Sequence, residues 1–158
     1  MRRYGLAVAG AVAGAVAAGA LVLGTGGAAW AGDADLEVHG SAVMSGGVME
    51  VRLTPADLGP DAVADASVRL SWSAALADEQ RLPAACARTG DREVVCGTGP
   101  LAAELPGEQL VVPVRLRERP SEVTLAVEVA WSGSAVDHDR TNDRQRVLVL
   151  ATGDPYAF

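Results

Sequence analysis

Residues 135–145, AVDHDRTNDRQ, crowd Asp137, Asp139, Asn142 and Asp143 into one short polar stretch between two apolar runs. Oxygen-bearing side chains at this spacing can hold a hard cation, move protons, or cap their own backbone. A calcium loop of the EF-hand kind needs oxygen ligands at positions 1, 3 and 5, glycine at 6 and a carboxylate at 12. Counted from Asp137, the last three of those positions are Thr141, Asn142 and Leu148, so the pattern fails. Arg140, Arg144 and Arg146 sit close by and compete with any cation. The stretch is therefore read as a structural turn, with no metal, in which Asp and Asn side chains bond nearby backbone N–H groups.

Catalytic chemistry finds little to work with. His39 and His138 are the only histidines; no serine lies in a G-x-S-x-G setting, and no H-x-x-x-H pair exists for zinc. Aromatic residues make up only 4%, too few to suggest a sugar-stacking cleft for a pair of acids to serve. No enzyme activity and no cofactor are expected. Cys86 and Cys96 are the only cysteines and form no CxxC. In an oxidising space an even count reads as a bridge.

The elements that must carry these residues repeat every second position. Met49, Val51 and Leu53 alternate with Glu50, Arg52 and Thr54, and Val68, Leu70 and Trp72 with Ser67, Arg69 and Ser71. Leu110, Val112, Val114 and Leu116 share a face, as do Val123, Leu125, Val127, Val129 and Trp131. LEVHGSAV, REVVCG and RVLVLA are shorter candidates. Such alternation marks half-buried strands. Turn signals such as Gly46-Gly47, DLGPD and LPGE fall between them. About seven short strands without a helix predict an antiparallel β-sandwich of immunoglobulin-like type over residues 32–151. Pro113 cannot donate to a ladder, so its strand is expected at an edge or a bulge. Trp72 and Trp131 both close inward-facing runs and are expected in the core. After Ala151 the pattern stops, and residues 152–158 read as a tail. Its Tyr156 and Phe158 would either fray, dock on a partner, or fold back on the sheet.

The chain begins with Arg2-Arg3 and a long uncharged run ending in Ala29-Trp30-Ala31. That is the make-up of a secretory signal peptide cleaved after Ala31. An uncleaved anchor at the outer face of the cytoplasmic membrane is the alternative, since the run is long enough to span a bilayer. Removing 31 of 158 residues leaves 127, enough for one domain with a core. The full chain has 13 basic residues, all arginine, against 20 acidic ones; without Arg2 and Arg3, 11 stand against 20 and the net charge is −9. Such acidity argues against nucleic acid and anionic membrane surfaces as partners.

Several pieces, taken in order, resemble an immunoglobulin-like "conserved repeat" domain found in bacterial surface and secreted proteins, a family of unknown function. They are Asp57-Leu58-Gly59-Pro60-Asp61-Ala62-Val63, Leu82-Pro83, Cys86, Cys96, Gly99-Pro100-Leu101, Gly107-Glu108 and Asp137-His138-Asp139-Arg140-Thr141-Asn142-Asp143. The match runs from about residue 34 to 150. The family usually has Asn at the positions of Asp57 and Asp143, and both residue types make Asx turns. The resemblance implies the sandwich and marks 137–143 as the turn before the last strand. It implies no activity.

The expected function is a non-enzymatic, secreted or envelope-associated module, monomeric, that binds an unknown extracellular protein or envelope component. One alternative is a carrier of an apolar small molecule between the sheets. Another is a protease-inhibitor-like protein, for which CARTGDREVVC (86–96) is the one disulfide-rigidified loop.

Overall fold

The computed structural model describes residues 32–158. The expected leader, 1–31, lies outside the described residues. The described chain is all β and forms a sandwich of two antiparallel sheets, with one small parallel pair at an end.

Sheet one is built on a long hairpin, β2 (Leu36–Ser45) and β3 (Val48–Asp57), turning at Gly46-Gly47. β3 then pairs with β7 (Leu105–Pro106) and β8 (Leu110–Arg115). Sheet two runs β11 (Arg144–Leu150), β9 (Glu122–Trp131), β4 (Ser67–Trp72), β6 (Glu93–Gly97), β5 (Cys86–Gly90). β1 (Asp33–Ala34) and β10 (Val136–Asp137) are the parallel pair. All seven runs of the sequence pattern are strands. Pro113 stands on β8, whose only ladder is to β3, an edge where a missing donor breaks no second ladder.

Alternation sets which side chains meet. Met44, Met49, Val51, Leu53, Leu70, Leu125 and Val149 are wholly buried between the sheets. Trp72 is buried with them and its indole N–H donates to Met49 Sδ at 3.2 Å. An indole donor needs such a partner once water is excluded.

Two expectations are corrected. The sandwich does not end at Ala151: of the courses open to Tyr156 and Phe158 they take the fold-back one, and β12 (Pro155–Ala157) pairs antiparallel with β2, Tyr156 opposite Ala42. Gly40 and Phe158 exchange backbone hydrogen bonds at 2.9 and 3.0 Å, and Tyr156 and Phe158 pack on the core. Three residues carry too little alternation to signal a strand, but an open edge of β2 supplies the partner groups. Nor is Trp131 a core residue: it is 53% exposed. The β4–β9 register pairs Val68 with Val129 but Ser67 with Trp131, so Ala130 is an extra residue on β9. A bulge of this kind puts the strand out of phase with its own pattern beyond the insertion.

Candidate functional site

One end of the sandwich gathers most of the residues that the sequence singles out. The stretch 135–145 starts there as β10, turns, and enters β11. Asp137 bonds locally, its Oδ1 accepting from the Asp139 amide at 3.1 Å, and remotely, its Oδ2 accepting from the Leu36 amide at 3.0 Å. Asp139 accepts from the hydroxyl and then the amide of Thr141, which hold its carboxyl below the ordinary value. Asn142 makes no local backbone cap. Its side-chain amide donates to Asp35 Oδ1 at 2.8 Å, a residue at the opposite end of the described chain. Turn formation is thus only half of what the stretch does; the other half ties β1 and β2 to the junction.

Across the junction, Asp57 makes an Asx turn, its Oδ1 accepting from the Gly59 amide at 2.9 Å and from the Asp35 amide at 3.2 Å. Gly59 is required there, because a Cβ would lie 2.6 Å from Ala34 Cα. Asp143 is 1% exposed and accepts from Arg140 Nε at 2.9 Å. Burial, and then the neighbouring charge of Asp137, push Asp143 up to about 6 against the pull of Arg140. Asp57 Oδ2, Asn142 Oδ1 and Asp143 Oδ1 are buried without a partner. Even so, among the described residues no three acidic, histidine or cysteine side chains are gathered so as to hold a metal ion. His138 reaches Asp33 Oδ1 at 3.0 Å, exposed to solvent, and His39 lies 3.7 Å from Glu37, so the two histidines do not meet.

Beside this junction lies the feature that periodicity missed. The bulge turns Trp131 outward, and the chain continues through Gly133, whose φ of +66° suits glycine. A Cβ at Gly133 would stand 2.8 Å from the Asp65 carbonyl, so the turn packs directly on the 62–65 segment. Between that segment and residues 131–135 runs an open groove of about 480 Å³, with Gly32 at its margin. Val63 is buried beneath it, while Ala62, Ala64, Asp65 and Ser134 are exposed along it. Among the described residues Asp65 is the one charged side chain lining it. An insertion in a β-ladder leaves no trace in a single strand's composition, so the sequence carried no signal for this groove.

The cystine bears on the inhibitor alternative. Cys86 and Cys96 are bridged, and they are register partners on adjacent strands. Their loop is a hairpin whose Arg88 turns back on the protein, donating to Gly90 O at 2.9 Å and Ala77 O at 2.8 Å. Arg92, at the tip of the same hairpin, is exposed. A bridged pair belongs to an oxidising compartment. Among the described residues no helix is long and apolar enough to cross a membrane. No family model, no curated protein and no solved structure matches this chain.

Proposed function

We propose that the protein is a secreted or envelope-associated, non-enzymatic binding module, monomeric, whose partner docks on the face around Trp131. The observation that carries this reading is the exposure of Trp131, 53%, in a chain with 4% aromatic residues. Exposed tryptophan on a rigid frame is the usual anchor of a protein contact. Val136, 43% exposed, extends the apolar surface. The leader-like segment 1–31 and the cystine support export. The ordered motifs resembling the bacterial repeat domain support a binding or structural role. A carrier needs space between the sheets, and that space is occupied by Met44, Met49, Leu53, Leu70 and Trp72.

The test is retention of residues 32–158 on washed envelopes and on culture-supernatant proteins of the producing cells, read by chemical crosslinking. Wild type should be crosslinked to a discrete species and Trp131→Ser should not. Equal crosslinking of the two, or none with wild type, would remove this face from the function.

A further inference from the structure

We infer that the Trp131 groove takes an extended partner segment presenting an arginine or lysine side chain. The inference rests on the reading of this face as the docking surface and adds the partner's chemistry. Its basis is charge complementarity within the groove. Among the described residues the lining pairs an exposed indole with one carboxylate, Asp65, and contains no basic side chain. Among the described residues Asp65 has no ion-pair partner. At the Gly32 margin stand two further exposed acids, Asp33 and Asp61, held together where the Asp33 amide donates to Asp61 Oδ2 at 3.0 Å. A Cβ on Gly32 would touch Asp61 Cβ at 3.0 Å, which fixes that acid to the groove's end.

These positions describe one recognition mode. The indole face attracts a cation through its quadrupole, and a long basic side chain lies flat on it while its apolar stem covers the ring. The carboxylate of Asp65 then meets the charged head. The rest of the floor is small or apolar, Ala62, Val63, Gly133 and Ala135, which suits an extended backbone with small neighbours and excludes a bulky one. An anionic ligand would meet three carboxylates, with His138 beside Asp33 and the amino group of Gly32 as the counter-charges at the margin and none beside Asp65. A neutral sugar would stack on Trp131 and donate hydroxyls to the acids, but it would leave the charge of Asp65 uncompensated. A second copy of this chain would bring its own excess of acids, −7 in the full sequence.

Binding of two blocked peptides to residues 32–158 at low salt separates these cases. One peptide is Ala-Val-Arg-Val-Ala-Ser, the other has Glu in place of Arg, and isothermal titration calorimetry reports binding, so that every variant is read in the same way. The Arg peptide should bind at least tenfold more tightly than the Glu peptide. Asp65→Asn with Asp61→Asn should weaken it about tenfold, Trp131→Ser should abolish it, and Glu118→Gln, which does not line the groove, should leave it unchanged. Equal binding of the two peptides, no binding of either at millimolar concentration, or undiminished Arg-peptide binding by Trp131→Ser would overturn the inference. A dimer in sedimentation that Trp131→Ser dissolves would make a second copy the occupant and would also overturn it. If the Asp61/Asp65 double variant still crosslinks to its envelope or supernatant partner while Trp131→Ser does not, the docking face stands and the basic partner falls.

Discussion

Trp72 and Trp131 close the same kind of alternating run on neighbouring strands, yet one is 3% exposed and the other 53%. The strand around Trp72 keeps strict register with β9 from Val68 to its end, so every inward position finds the opposite sheet. Around Trp131 one extra residue intervenes, and the ring is delivered to solvent. Composition and periodicity treat the two alike; only pairing separates them. A side chain's role in a sheet is thus set by its partner strand as much as by its own.

The comparison is broken most sharply by truncation. Trp72→Ala should cost about 3–5 kcal/mol in urea melts, the usual range for emptying a buried aromatic site. Trp131→Ala should stay within about 0.5 kcal/mol, as surface changes do. Similar losses at both sites would mean that Trp131 is structural.

The cystine offers a second contrast, between covalent and packed restraint. Cys86→Ala with Cys96→Ala should lower stability by about 2–3 kcal/mol while far-UV circular dichroism stays that of the sandwich. Unfolding of the double variant at room temperature would show that the core around Trp72 does not hold the fold by itself.

Deleting Ala130 should sharpen the comparison by restoring the β9 phase. Trp131 would then turn toward the core, and acrylamide quenching should fall to the level of Trp72. Forcing a large ring into a packed interior should also cost about 1–3 kcal/mol. Unchanged quenching would show that the turn at Gly133, and not the bulge, sets the ring outward.

The smallest effect concerns protons. Asp143 is pushed up to about 6, above the ordinary value of 3.8 that applies in the unfolded chain. Between those values the folded state binds more protons than the unfolded one, so stability falls as pH rises through this window and returns on acidification. Its backbone carbonyl accepts from the Val129 amide, two residues before Trp131. Quenching of Trp131 should therefore follow pH near 6 while that of Trp72 does not, and Asp143→Asn should flatten the slope and be the more stable form at pH 7.5. A pH slope that survives in the variant would assign it to another group.

The seven long strands were legible because each is half buried and announces its buried face every second residue. β5, with the sequence CARTG, and β12, with PYA, were not, because they owe their pairing to the open edges of β6 and β2. At the junction the turn itself was legible: Asp137, Asp139 and the Asx turn at Asp57 bond within two residues along the chain. The partners Asp35 and Leu36 were not, since they lie more than a hundred residues away and leave no local mark. The groove was invisible for the same reason, being made by an insertion in a ladder.

The pairing of β12 with β2 also governs when the protein can fold. Residues 155–157 complete a sheet whose first long strand begins at Leu36, and β1 finds its partner only at Val136. Contacts of such sequence separation close slowly, because the loop entropy is lost before the contacts form. During synthesis β2 and β3 can zip at once, but the far edge of β2 stays open until nearly the whole chain has emerged. The two remote clasps, β12 on β2 and β10 on β1, are thus the last parts of the sandwich to close, and until they do the ends of the frame stay pliable.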